Sequence, residues 1–196
     1  MNLQIIFATL ASVIGTLSFI PYIRDIFRLK TTPHTYSWLI WAILQATATS
    51  AMLSKGASFG VVTLAIGSLL CAFIFLLSLR YGTKNITTFD TICFIGALGG
   101  TGMWLFLHNA LLSVCIVSVV DLIAFLPTFR KAYADPYSET PSTYLLSFIA
   151  DGLALFALSA FSLTTSLYLF TLVATNLACV SVIFIRRKHP NSTVSK

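Results

Sequence analysis

The sequence carries very little charge. Of its 196 residues, 9% are charged and 57% are hydrophobic, and only six are acidic. A soluble domain of this length cannot bury so much apolar surface, so the composition excludes an ordinary soluble protein and indicates a membrane protein. The net charge of +6 does not predict binding to nucleic acid, because the basic residues lie between apolar runs and at the C-terminus rather than on one soluble surface.

Several motifs that carry chemistry are also absent. The four cysteines lie inside apolar runs and form no C-x-x-C pair or metal-ligand spacing, so we predict no metal and no cofactor. No phosphate-binding glycine loop is present, which excludes ATP-driven pumping by this chain alone. No protease-type motif surrounds Asp121 or Asp151, and we predict no catalytic residues and no enzyme activity. Met1–Gln4 lack a basic n-region, so we expect the first apolar run to be retained as a membrane helix.

What the sequence does contain is a series of long apolar runs. Each has about 18–23 residues, enough at about 1.5 Å per residue to cross a hydrocarbon core of about 30 Å. The pattern predicts seven transmembrane helices. Their approximate ranges are 3–25, 36–53, 59–79, 88–107, 110–129, 143–160 and 165–185.

The distribution of positive charge predicts how these helices cross the membrane. With the N-terminus outside, the predicted inside segments hold eleven Lys and Arg residues and the outside segments hold only Lys55. This agrees with the positive-inside rule for every inside segment only if there are seven spans. We therefore predict an N-outside, C-inside topology.

A duplicated motif relates the two halves of the chain. The pattern F-x-P-x-x-R occurs at 19–24 and again at 125–130, and the pattern T-P-x-T-Y follows at 32–36 and at 140–144. The first three and last three predicted helices thus form two copies, and the fourth helix links them. An odd number of linking helices makes the copies parallel, related by an axis along the membrane normal.

This plan resembles the PQ-loop superfamily, which includes the SWEET sugar transporters, the half-size SemiSWEETs, vitamin transporters of similar fold and lysosomal cystine exporters. The resemblance rests on Pro21 with Arg24, on the segments 30–32 and 37–38, and on Pro127 with Arg130 and Lys131. It implies an all-α integral membrane protein with a 3+1+3 arrangement. The implied units are a first three-helix bundle (1–82), a linker helix (83–108), a second three-helix bundle (109–187) and a cytoplasmic tail (188–196).

Polar side chains occur at one depth in several apolar runs. Asp121 lies nine residues before Arg130, about 13 Å from the end of its helix, and Asp151 lies nine residues after Ser142. Charged groups at this depth are costly and usually functional. We predict proton coupling through these two aspartates; the alternative is that each makes a structural hydrogen bond between helices. The resemblance implies a substrate-binding role for Asn176, and depth adds further candidates, so that the predicted binding residues are Asn176, Ser68, Gln45 and Trp41.

Two prolines and two tryptophans carry further expectations. Pro21 and Pro127 lie near the predicted inner ends of their helices, where the loss of a backbone hydrogen bond would let each serve as a hinge or gate; a static kink is the alternative. We expect Trp38 and Trp104 to anchor the chain at the membrane interfaces.

The function predicted from these patterns is that of a secondary carrier or facilitator. It would move a small polar solute, such as a sugar, an amino acid or a vitamin-like molecule, by alternating access. The alternative is a SWEET-fold membrane receptor that binds a peptide or small ligand without transport. The predicted partners are the solute and the lipid bilayer, with no nucleic acid, and a homo-oligomer is left open. Short loops and a short tail favour a multi-pass protein of the bacterial inner (plasma) membrane.

Overall fold

A computed structural model describes residues 3–56, 59, 61–107 and 109–188. Within these ranges the chain forms seven α-helices and no β-strand, which confirms the prediction of an all-α protein. The predicted tail lies almost wholly outside the described residues. The helices are α1 (Leu3–Phe27), α2 (Thr35–Leu53), α3 (Val62–Tyr81), α4 (Thr88–Leu107), α5 (Ala110–Ala134), α6 (Pro141–Phe156) and α7 (Leu163–Lys188).

The surface of the helices suits lipid. By length and composition α1, α3, α5 and α7 can each cross a membrane. Large apolar side chains point outward from them, with Leu69 74% exposed and Leu76 61% exposed. In water such a surface would drive aggregation, whereas in a bilayer it is solvated by the acyl chains. That α2, α4 and α6 also span the membrane stays a prediction.

We call α1–α3 the first group of helices and α5–α7 the second. In the first group α3 contacts both α1 and α2, and in the second α7 contacts both α5 and α6. The groups meet where α1 packs along α6 and α2 packs along α5, and α4 lies against α5 and α2. The space enclosed by these contacts is where the candidate site is found.

Three of the inter-helix connections gather at one end of the molecule. The backbone N–H of Thr83 donates to the carbonyl of Pro33 (3.0 Å), and that of Thr32 donates to the carbonyl of Ser138 (3.3 Å). The C-terminal end of α7 joins them, because Arg187 donates to the carbonyls of Pro136 and Glu139. We call this the basic end, since it carries the Lys and Arg residues at and just beyond the C-terminal ends of α1, α3, α5 and α7.

Neither proline interrupts its helix. Pro21 lies inside α1 and Pro127 inside α5, and both helices continue for nearly two turns beyond them. The end of α1 is instead set by a Schellman motif: the N–H of Lys30 donates to the carbonyl of Asp25 (2.9 Å), and Leu29 adopts a left-handed φ of 56°. The prolines thus lie near the basic end.

Candidate functional site

A cavity lies between the two groups of helices. It has about 70 Å³ open to the centres of water molecules, which is room for more than one water. Six of the helices contribute to its wall, and among the described side chains none from α4 does. The residues that line it are Gly15, Phe19, Trp38, Trp41, Gln45, Thr63, Gly67, Cys71, Phe125, Thr143, Tyr144, Ser147, Ala150, Asp151, Leu172 and Asn176.

Asp151 of α6 and Asn176 of α7 form a hydrogen-bonded pair in this wall. The Asn176 Nδ2 donates to Asp151 Oδ2 (3.2 Å) and to the carbonyl of Leu172 (2.9 Å). The Asp151 and Asn176 residues are only 7% and 6% exposed. Both amide protons are therefore committed, which fixes the orientation of the amide and leaves its oxygen as an acceptor.

Gln45 and Trp41 of α2 line the same cavity as Asp151 and Asn176. The Gln45 Nε2 donates to Cys71 Sγ (3.3 Å). A Cβ atom placed on Gly67 would lie 2.1 Å from Gln45 Oε1, so only glycine leaves room for this amide. The Trp41 indole nitrogen is buried and has no hydrogen-bond partner among the described residues. Four of the predicted functional residues thus come together.

Ser68 and Asp121 do not line the cavity. The Ser68 hydroxyl donates to the carbonyl of Ala42 (2.7 Å) and holds α3 against α2. Asp121 is fully buried between α5 and α7, where the Tyr168 hydroxyl lies 3.4 Å from its Oδ1. Its Oδ2 has no partner among the described residues.

The two prolines also lie outside the cavity wall, but their neighbours do not. Phe19 and Phe125, each two residues before a proline in the duplicated motif, both line the cavity. Any change of helix bend at Pro21 or Pro127 would therefore shift a phenyl ring of the wall.

The expectation for Trp38 is wrong. Its ring is 4% exposed and lines the cavity, where the indole N–H points toward the Tyr22 hydroxyl (3.3 Å). It packs there because Tyr22 and Phe19 of α1 offer aromatic contacts at 4.8 Å and 6.1 Å between ring centroids. The side chain of Trp104 lies outside the described residues.

A buried ionic cluster at the basic end was not predicted. Glu139 is 2% exposed, its Oε1 lies 2.5 Å from Lys131 Nζ, and its Oε2 accepts a hydrogen bond from the Tyr144 hydroxyl (2.9 Å). The Lys131 contact is a close ion pair rather than an aligned hydrogen bond. Lys131 also donates to the carbonyl of Thr32. Because Tyr144 lines the cavity, this cluster lies directly beside the cavity wall.

A second buried cluster connects α2, α4 and α5. Asp90 is fully buried and pairs with Arg130 (2.8 Å), and His34 Nε2 lies 3.4 Å from the same carboxylate oxygen. Burial lowers the pKa of His34 below its usual value, although the charge of Asp90 opposes this shift. The imidazole is therefore neutral at neutral pH. This cluster was hard to predict from the sequence, because its members are 40 or more positions from Asp90 along the chain.

The chain matches no protein-family model, no curated protein and no solved structure.

Proposed function

We propose that this chain is a transporter for a small polar solute. It would be a multi-pass membrane protein that works as a secondary carrier or facilitator by alternating access, in a PQ-loop or SWEET-like 3+1+3 arrangement with its basic end in the cytoplasm. The observation that carries the proposal is the cavity between the two groups of helices, whose wall includes the polar side chains of Gln45, Asp151 and Asn176. Transporters built from repeats hold their solute at such an interface, near the middle of the membrane.

The distribution of the wall residues supports this proposal. Phe19 and Phe125 occupy equivalent positions in the duplicated motif, and each places its ring in the wall. A rocking motion of one group of helices against the other would change the distance between these two rings and therefore the shape of the cavity. The contacts that such a motion must break include the Ser18–Ser147 hydroxyl pair beside the cavity (3.1 Å) and the Thr31–Thr140 hydroxyl pair at the basic end (2.5 Å).

Proton coupling is part of the proposal. Asp151 lines the cavity. Asp121, in the same half of the chain, is fully buried between α5 and α7. A carboxyl group in such a place can carry a proton across the membrane if it is reached from each side in turn. Uptake into proteoliposomes that is independent of pH, with both Asp121→Asn and Asp151→Asn active, would contradict this part of the proposal.

Alternating access can be tested before the solute is known. In a protein without its native cysteines, Ser147→Cys places a thiol in the cavity wall. We expect a charged, membrane-impermeant thiol reagent to modify it from both sides of the membrane. The control is Ala174→Cys, at an exposed position near the middle of α7, where the reagent should not react from either side.

The same assay separates transport from the receptor alternative. A receptor that binds without transport opens its cavity to one side only. Modification of Ser147→Cys from a single side, in every condition that is tried, would therefore favour the receptor. A thermal-shift screen over sugars, amino acids and vitamins at two pH values would then identify binders, since a ligand that binds the folded state stabilises it by mass action.

A further inference from the structure

One side of the cavity is a continuous aromatic wall. The rings of Phe19, Trp38, Trp41 and Phe125 contact one another in that order, with centroid distances of 6.1, 5.1 and 4.6 Å. All four are at most 8% exposed, and all four line the cavity. The wall is built from α1, α2 and α5, and it presents ring faces and edges that are held by packing.

The cavity wall also carries a carboxyl group. Asp151 of α6 lines the cavity with Asn176 of α7, and α6 adds the hydroxyls of Thr143 and Ser147. The hydrogen bond from Asn176 engages Oδ2. The Oδ1 of Asp151 accepts no hydrogen bond from the described residues, so one carboxylate oxygen remains available to a ligand.

The charge of the cavity has one sign. Among the described residues its wall contains Asp151 and no Lys, Arg or His. The nearest basic group in the ionic cluster, Lys131, is already paired with Glu139. An anionic solute would find no charged partner here, whereas a cation would find one.

We propose that the cavity binds a small organic cation, either a protonated amine or a quaternary ammonium group. The positive group would lie between the aromatic wall and Asp151, attracted by the ring quadrupoles and by the carboxylate. This inference deepens the proposed function and rests on it in taking the cavity as the site of the solute. A cavity of this limited volume, about 70 Å³ open to water centres, favours a small cation such as choline or ethanolamine.

The aromatic wall and the acid contribute to affinity in different ways. Aromatic rings attract a quaternary ammonium group more strongly than they attract a neutral group of the same shape. Choline and 3,3-dimethyl-1-butanol form such a pair, because they differ in one atom, nitrogen or carbon, and in charge. The ratio of their affinities therefore reports the electrostatic part of binding.

The test is calorimetric titration of the full chain in detergent with choline, ethanolamine and 3,3-dimethyl-1-butanol. We expect choline to bind about tenfold or more tightly than its neutral analogue. Asp151→Asn should reduce that ratio toward one. Asp135→Asn, the same change at an exposed position between α5 and α6, should leave the ratio unchanged.

A second variant covers the case in which Asp151→Asn does not fold. Phe125→Leu keeps an apolar side chain of similar volume but removes one ring of the wall. It should weaken choline binding by several-fold while leaving the neutral analogue little changed. Equal losses for the two compounds would contradict a cation–π contribution.

The failures of the two proposals are distinguishable. If neither cation binds, or if the neutral analogue binds as tightly as choline, the cation inference is overturned. The proposal of transport would still stand if a sugar or another neutral solute were taken up by proteoliposomes. If choline binds with the expected dependence on Asp151 but labelled choline never enters proteoliposomes, the inference stands and transport is refuted.

Discussion

Removing the charge of Glu139 should destabilise the protein strongly. Glu139 is 2% exposed and has two side-chain partners, the ammonium group of Lys131 at 2.5 Å and the hydroxyl of Tyr144 at 2.9 Å. In Glu139→Gln the amide can still accept from Tyr144. Lys131, whose side chain is only 11% exposed, would keep just the carbonyl of Thr32. Breaking a buried ion pair from one side typically costs about 3–5 kcal/mol. We expect about 3 kcal/mol, because Lys131 retains that carbonyl and a little solvent contact.

The assay is reversible unfolding in mixed micelles, monitored by tryptophan fluorescence. Arg24→Gln provides the control, since Arg24 pairs with Asp25 from a side chain that is 54% exposed, and such pairs contribute about 0.2–1 kcal/mol. The double variant Glu139→Gln, Lys131→Met should recover most of the loss, because an apolar replacement leaves no charge unpaired. A cost below about 1 kcal/mol for Glu139→Gln, equal to that of the control, would refute the reasoning.

Three further predictions follow from other residues. Gly67→Ala should push aside the amide of Gln45, which is the end of a flexible side chain, so in the same unfolding assay the net cost should stay within about 1 kcal/mol, since alanine also favours the helix; the control Gly102→Ala, whose added Cβ meets nothing within 4 Å, should be neutral or stabilising. Burial lowers the pKa of His34, so its unfolded form binds protons more tightly; thermal stability should fall as the pH drops below about 6.5, and His34→Gln should lessen that fall. Pro127→Ala should slow uptake of a transported solute if the bend acts as a hinge, and an unchanged rate with unchanged thiol access at the basic end would rule the hinge out.

The helices could be predicted from apolar runs, but their ends could not. α4 has the predicted bounds, yet α5 continues to Ala134 and α7 to Lys188, several residues into charged sequence. The predicted helices ended just before Arg130 and Arg186, because hydropathy falls at these charged residues. Helical hydrogen bonds are local to the backbone and continue beyond the lipid. α6 shows the reverse, since it ends at Phe156 within an apolar run.

The depth of the site residues in the membrane could be predicted, but the face of the helix on which each one lies could not. Counting residues along each helix placed Gln45, Asp151 and Asn176 at one level, and all three line the cavity. The same count included Ser68 and Asp121, which face neighbouring helices instead. In a membrane helix both the lipid side and the packed side are apolar, so periodicity gives little information about which face a residue occupies. Glu139 was missed because it lies in a short connection, outside any run that was counted.

The aromatic wall and the acid come mainly from different halves of the chain. Three of the four rings in the aromatic wall come from the first half, and Asp151 with Asn176 come from the second. A symmetric dimer of second halves would bring two copies of Asp151 to such a cavity, and a dimer of first halves would bring none. A cavity that combines these rings with a single acid therefore requires both halves of this chain.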